Sequence, residues 1–363
     1  MLRAIVLIAL CAVALGAATP AAAISAPPPV SFACWNDGDT LLKLVANATP
    51  QLAAMNASVI LALDQMTPAR ATAVQRWNTA GVEVAAWLLM PVAEGDWINE
   101  NNAHLFPARY DAFRAWQAAN NLTFSMGIGL DLEFSLTELK LVEKALRTGN
   151  WSAVLPWIER DERLDFYLAA RANLSSVIAR AKRDGFRVIS FLLPPILDER
   201  AVGSTALQRL TGIIDVPQVD VEALMSYDVY YGTNTTVRAI NGGVLYSYMN
   251  TLAARGDGGA QTGVGLGCTR DSAARNGATW DEMRAGMLWA RARVPNALVG
   301  YYDLAGAVAE GWLPKIAAFD WGAPPPPAPA NATALVDAAR AELRAILEQS
   351  CRNHPSTCNL PPP

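Results

Sequence analysis

The chemistry in this 363-residue chain concentrates where an apolar run meets acid: Gly127-Ile128-Gly129-Leu130-Asp131-Leu132-Glu133-Phe134. Side chains alternate along a strand, so Asp131 and Glu133 share a face with Gly127 and Gly129, while Ile128, Leu130, Leu132 and Phe134 form the other. Two carboxyls held close in apolar surroundings do not both ionise, and the one that keeps its proton can act as a general acid. The bland alternative is that the two acids only open a loop or cap the next helix. Their company argues against it. Asp37, Asp64, Glu94, Asp228 and Asp303 each fall at or just past the end of another apolar run, with Trp35, Trp87, Trp97, Tyr227, Tyr230, Tyr231, Tyr301 and Tyr302 nearby. Carboxylates accept hydrogen bonds from hydroxyls and aromatic faces stack on apolar ring faces, so the set suits a carbohydrate.

The elements that must carry these residues alternate strand and helix. Strands are predicted at Ser31–Asn36, Ser58–Leu63, Val82–Met90, Gly127–Phe134, Phe186–Leu193, Val219–Tyr227, Gly263–Gly267 and Ala297–Tyr302. Between them lie helical stretches at Leu41–Ala46, from Thr67-Pro68 to Gly81, Pro107–Asn120, Asp165–Asp184, Ser204–Leu210, Val244–Ala254 and Trp280–Arg293. The predicted fold is α/β, a (β/α)8 TIM barrel whose site lies at the C-terminal ends of its strands, with a long insertion after strand four. A doubly wound open sheet would carry a Gly-rich phosphate loop after its first strand, and Cys34 to Thr40 does not read as one. The loop from Val92 to Phe106 is long enough to be a lid or a groove wall. Beyond residue 322 a proline-rich linker leads to a helix at Asn331–Ser350 and a short tail. The expected domains are thus a 1–26 leader, a 27–322 barrel and a 323–363 linker, helix and tail.

Leu130-Asp131-Leu132-Glu133 and Met225-Ser226-Tyr227-Asp228 resemble the barrel motifs of family 18 glycoside hydrolases, the chitinases and endo-N-acetylglucosaminidases. The resemblance implies that Glu133 is the general acid and that Asp131 orients an N-acetyl group for substrate-assisted attack. It further implies that Tyr227 bonds the acetamido oxygen and Asp228 holds the far side, so that the chain hydrolyses O-glycosidic bonds. Met126 and Gly129 stand where that family carries two further aspartates, and Gly300-Tyr301-Tyr302-Asp303 where it usually offers a tryptophan. The other reading these losses leave open is a non-catalytic, lectin-like barrel. Trp35, Asp37, Asp64, Trp87, Trp97, Tyr230, Tyr301 and Asp303 are the candidate substrate contacts in either case.

Other chemistries fit less well. With His104 and His354 the only histidines, neither a metal centre nor a histidine-based phosphodiesterase is expected, and no cofactor is implied. No nucleophile elbow marks a serine hydrolase. With 29 basic against 33 acidic residues there is no polybasic surface for nucleic acid, and the expected partner is a carbohydrate bound by a monomer. Arg3, the apolar run Ala4–Leu15 and the small residues to Ala26 predict a signal peptide rather than a membrane span, and hence a secreted or lumenal protein. Export allows disulfides: of Cys34, Cys268, Cys351 and Cys358, the expected pairs are Cys351–Cys358 and Cys34–Cys268. It also allows glycosylation at Asn47, Asn56, Asn121, Asn150, Asn173, Asn234 and Asn331.

Overall fold

The computed structural model describes residues 27–134, 162–216, 218–226, 242–255, 261–268 and 278–353, together with 355 and 358. The expected leader and much of the insertion after strand four lie outside them. Eight parallel strands close into a barrel in sequence order: β1 (Val30–Cys34), β2 (Ser58–Leu63), β3 (Val84–Leu88), β4 (Gly127–Leu132), β5 (Val188–Leu192), β6 (Val221–Met225), β7 (Gln261–Cys268) and β8 (Leu298–Tyr302). The (β/α)8 TIM barrel predicted from the alternation is therefore the fold.

The helices return the chain between strands: α1 (Gly38–Ala54), α2 (Pro68–Thr79), α3 (Phe106–Ala119), α4 (Glu162–Arg183), α5 (Ile196–Ala201), α6 (Ala206–Thr211), α7 (Gly243–Arg255), α8 (Trp280–Arg293), α9 (Leu304–Ala309), α10 (Trp312–Ala317) and α11 (Ala330–Asn353). Local chemistry sets their starts. The Thr67 hydroxyl accepts from Arg70 N with Pro68 at the first helical position, and Thr279 and Glu282 cap α8 reciprocally. Helix α1 outruns the expected Leu41–Ala46 because it continues through Pro50, with the Thr49 hydroxyl bonding back to Val45 O. Helix α5 follows Pro194-Pro195, a pair that reads in sequence only as the end of a strand.

Strand parity sorts the side chains into two cores. Ile60, Ala62, Ala85, Trp87, Ile189, Val221, Ala223 and Leu298 fill the barrel, with Trp35, Phe191 and Tyr302 above them. Phe32, Leu61, Leu88, Leu130, Val188, Val264 and Tyr301 face the helices in the larger outer core. Pairing Trp87 with Gly129 and Asp131 with Phe191 puts these four residues side by side across three strands.

Helix α11 is built into this layer. Arg340, 6% exposed, donates from Nε and Nη2 to the Asp198 carboxylate of α5 at 2.9–3.1 Å. Its Nη1 reaches the Ser247 carbonyl at 3.1 Å and hydroxyl at 2.7 Å, and its guanidinium stacks on Tyr248, both on α7. Tyr248 Oη and Arg344 Nη1 also donate to Asp198, which is fully buried. The linker is tied down as well, since Trp289 Nε1 donates to Pro326 O at 3.0 Å.

Cys351 and Cys358 are disulfide-bonded. The expected Cys34–Cys268 bond is not formed, and the Cys34 thiol is free and buried, its pKa pushed up to about 12 mainly by that burial. The reason is topological: β8 lies between β1 and β7. Two strand spacings put the backbones roughly 9–10 Å apart, whereas a disulfide spans about 4.4–6.8 Å between Cα atoms. Among the sequons, Asn47, Asn56, Asn121 and Asn331 are exposed and Asn173 half-buried, while Asn150 and Asn234 lie outside the described residues. No described helix is long and apolar enough to cross a membrane.

Candidate active site

At the C-terminal end of the barrel is a cavity of about 80 Å³, room for several water molecules. Trp35, Trp87, Trp97, Phe191 and Tyr302 wall it, Ser31, Ile60, Ala223, Leu298 and Gly300 lie deeper, and Asp131 and Glu133 face into it. The rings hold one another edge to face, Trp35 on Trp87 at 4.3 Å between centroids, Trp87 on Phe191 at 5.6 Å and Trp35 on Tyr302 at 6.3 Å. Such packing fixes their orientation without a hydrogen bond. The Ser31 hydroxyl and the Trp35 indole N–H have no hydrogen-bond partner among the described residues, so the apolar wall carries a few buried polar atoms.

Strand β4 delivers the acid pair. At Gly127, with φ +97°, a Cβ would lie 1.9 Å from Arg187 O, so only glycine allows β4 to enter beside β5 this closely. At Gly129 a Cβ would lie 2.8 Å from Phe191 Cε2. The phenyl ring thus occupies the space that the second family 18 aspartate would need. Introducing an aspartate there, as Gly129→Asp, is expected to destabilise the fold by about 1–3 kcal/mol, as overpacking does. Adding Phe191→Ala should recover part of the loss, and urea unfolding of the single and double variants measures it.

The long loop 92–105 walls the cavity through Trp97 and is bonded to the end of β4. After the turn Val92–Glu94, Asp96 sits at φ +64°, and Ile98 pairs with Leu132 in a parallel bridge, donating to Asp131 O at 3.0 Å. Buried Asn102 fastens the loop to itself: its Nδ2 donates to Glu94 O at 3.0 Å and Trp97 O at 2.8 Å, and its Oδ1 accepts from Asn99 N at 2.9 Å. The neighbouring strand ends are clamped by arginines. Arg109 donates to the carbonyls of Leu63, Asp64 and Leu89, and Arg70 to Gln65 O while pairing with Asp64 at 2.5 Å.

Electrostatically the acid pair is strained toward its protonated forms. Asp131, 1% exposed, lies against the Trp87 indole and the Glu133 carboxyl; burial, then the charges of Glu133 and Asp96, hold it well above the usual carboxylate range. Glu133 is pushed up to about 7, by burial first and then by Asp96, although the hydrogen bond from Asp131 pulls the other way. Near neutrality the pair therefore keeps a proton that an exposed pair would have lost.

The structure brings together Trp35, Trp87, Trp97, Asp131 and Glu133 as the sequence predicts. Asp37, Asp64 and Asp303 have other work. Asp37 caps α1 through Gly38 N and accepts from the Thr67 hydroxyl, both at 2.7 Å; Asp64 is paired with Arg70. Asp303 caps α9 through Gly306 N at 2.9 Å. The Tyr301 ring, a candidate substrate contact, stacks on Phe32 on the helix side, and of the two tyrosines it is Tyr302 that packs on Trp35 at the cavity. Tyr227, Asp228 and Tyr230 lie outside the described residues. Phe191, which the candidate set lacks, also lines the cavity, and Asp96 sits on the loop that carries Trp97. Strand-five parity pointed to Phe191, whereas Asp96 was visible only as one of several polar residues in a long loop.

No protein-family model matches the chain, and neither does any curated protein. Among solved structures it is similar to the glycoside hydrolase domain of PgaB (BpsB) from Bordetella bronchiseptica, at 12% identity and a TM-score of 0.46, over 79% of this chain and 98% of that one. It is also similar to Saccharomyces cerevisiae Gas2 in complex with laminaritriose and laminaritetraose, at 13% identity and a TM-score of 0.39, over 75% of this chain. The match spans 56% of the Gas2 chain.

Proposed function

We propose that the chain is a glycoside hydrolase in which Glu133 donates the proton to the departing glycosidic oxygen. The observation that carries this reading is the acid pair in an aromatic-walled barrel cavity, with Glu133 protonated up to about pH 7. A proton kept to near neutrality by burial is what a general acid needs, and stacked rings suit the apolar face of a sugar. Asp131, held above the usual carboxylate range by burial and by the Glu133 charge, is hydrogen-bonded to Glu133 and would stabilise the carboxylate left when Glu133 gives up its proton. By resemblance to family 18, attack would come from an acetamido group of the substrate, with Tyr227 and Asp228 completing the site. The exposed sequons and the Cys351–Cys358 bond support an exported glycoprotein.

The test is hydrolysis of chitin, N-glycan, peptidoglycan and galactoside panels, with product analysis of any hit. A wild type that binds one of these glycans and cleaves none would make it a lectin-like barrel instead. On a substrate that is cleaved, kcat/KM is expected to fall about tenfold per pH unit above about 7, as Glu133 loses its proton. A rate flat from pH 6 to 9 would remove Glu133 from the role.

A further inference from the structure

Across the cavity from the acid pair the barrel wall is made of small residues. Met225, Gly265, Gly300 and Ser31 are paired in a row over β6, β7, β8 and β1, and all of them line the cavity. Strand β8 lies four strands from β4 in either direction around the barrel, so Gly300 stands opposite Asp131 and Glu133. Packing does not require a glycine there. A Cβ on Gly300 would meet Ser31 Oγ at 3.5 Å and Val264 O at 3.9 Å, both ordinary contacts. On the inward faces of β4 and β7, by contrast, a Cβ on Gly129 would come within 2.8 Å of Phe191 and one on Gly263 within 2.7 Å of Ala223. Those glycines accommodate a neighbour, whereas Gly300 leaves a space. Ser31 Oγ borders it. Ser31 is 0% exposed, shares the inward face of β1 with Ala33 and Trp35, and its hydroxyl has no hydrogen-bond partner among the described residues. A buried hydroxyl is normally paired, and this one is aimed at the gap over Gly300.

We propose that this recess is a subsite for the exocyclic hydroxymethyl group of a neutral hexose, with Ser31 as the residue that recognises its oxygen. The proposal rests on the reading of the cavity as a glycan site and names what that site selects. The make-up of the recess picks out the group. Carbon of Ala33, Ala223 and Leu298 surrounds a methylene, and the single hydroxyl of Ser31 can donate to or accept from one oxygen. The charged groups that line the cavity are Asp131 and Glu133. A uronate carboxylate in the recess would face these two acids across the barrel and have carbon on its own side, which is costly for a charge. An acetamido group brings both an N–H and a C=O to a recess with one hydroxyl, and in the reading above its place is beside Asp131. Ser31 thus acts as a specificity-determining residue, separating hexoses from pentoses and from 6-deoxy sugars.

The experiment is isothermal titration calorimetry of the full chain with the methyl glycosides of glucose, galactose and mannose. For the tightest of them, the 6-deoxy analogue, the pentoside lacking the hydroxymethyl group and the 2-acetamido analogue follow. Kd is expected to rise about three- to tenfold for the 6-deoxy sugar, which loses one hydrogen bond, and further for the pentoside, which also loses the buried carbon. Ser31→Ala should bring the hexoside and its 6-deoxy analogue to the same Kd. Gly300→Ala, which fills the recess without a clash, should weaken the hexoside about tenfold and leave the pentoside unchanged. A 6-deoxy sugar that binds as well as its hexoside overturns the proposal, and so does a lack of binding to every sugar. A Ser31→Ala variant that keeps the wild-type ratio also overturns it, since the hydroxyl would then hold only a water. If Ser31→Ala instead changes the preference between the 2-acetamido sugar and its parent, the recess belongs to the acetamido group and the proposal fails. The expected pattern in a protein that cleaves no glycan supports the recess and rejects the hydrolase reading; glycan cleavage with equal Kd for hexoside and 6-deoxy sugar does the reverse.

Discussion

Glu133→Gln is expected to lower kcat by about 10²–10⁴ on whichever glycan the wild type cleaves, while the Kd for that glycan barely moves. Glutamine keeps the size of the side chain and its hydrogen bonding to Asp131, but has no proton to give. Turnover against isothermal titration calorimetry on the same ligand separates the two effects. A variant that turns over at the wild-type rate would end the assignment. The same substitution should stabilise the protein at alkaline pH. The unfolded glutamate titrates near 4.5 and the folded one near 7, so the folded state holds the tighter proton. Stability is therefore complete below pH 4.5, falls as pH rises from 4.5 to 7, and stays at the lower level beyond. Glutamine escapes that loss, which makes Glu133→Gln more stable than wild type by about 1–3 kcal/mol at pH 8 and about equal to it at pH 4. Urea unfolding at the two pH values gives the comparison.

Arg340→Ala is expected to destabilise the fold by about 3–5 kcal/mol, the cost of stranding a buried charge. Asp198 is fully buried and would keep only Arg344 and Tyr248. The loss is a large part of the roughly 5–15 kcal/mol that holds a typical protein folded. Replacing both partners, as Arg340→Met with Asp198→Leu, should restore most of it, because the desolvation of both charges disappears together. Urea midpoints of the single and double variants decide the matter. A single variant within about 0.5 kcal/mol of wild type would place Arg340 among surface residues, contrary to its burial.

The barrel was legible because each strand is an apolar run closed by a cap or turn residue, and helices such as α2 and α8 announce their starts with threonine caps. Parity within β4 was legible too: glycines followed by acids on one face and large aliphatics on the other leave one way to face the barrel. Strand β8 offered no such contrast. Leu298, Gly300 and Tyr302 are no more polar than Val299 and Tyr301, and so the sequence puts both tyrosines at the site without telling which one faces inward. Asp37 and Asp64 stand just past the ends of β1 and β2, but the Thr67 hydroxyl on the first and Arg70 on the second depend on side chains whose direction no local pattern gives. Asp96 escaped for a related reason. Its position follows from a loop that closes on Asn102, and such closure leaves no periodicity to read. An even cysteine count with Cys351–Cys358 closing the tail leaves Cys34 to Cys268, but a count carries no distance, and barrel closure puts β8 between the two strands.

The Arg340–Asp198 contact spans 142 positions of sequence. At about 5–20 residues per second of synthesis, Asp198 leaves the ribosome roughly 7–28 seconds before its counter-charge exists. During that interval the α5–α7 sector has a carboxylate that is costly to bury and an apolar seam that α11 has yet to cover. The α5–α7 sector therefore gains its counter-charge and its cover only once residues 330–353 are made.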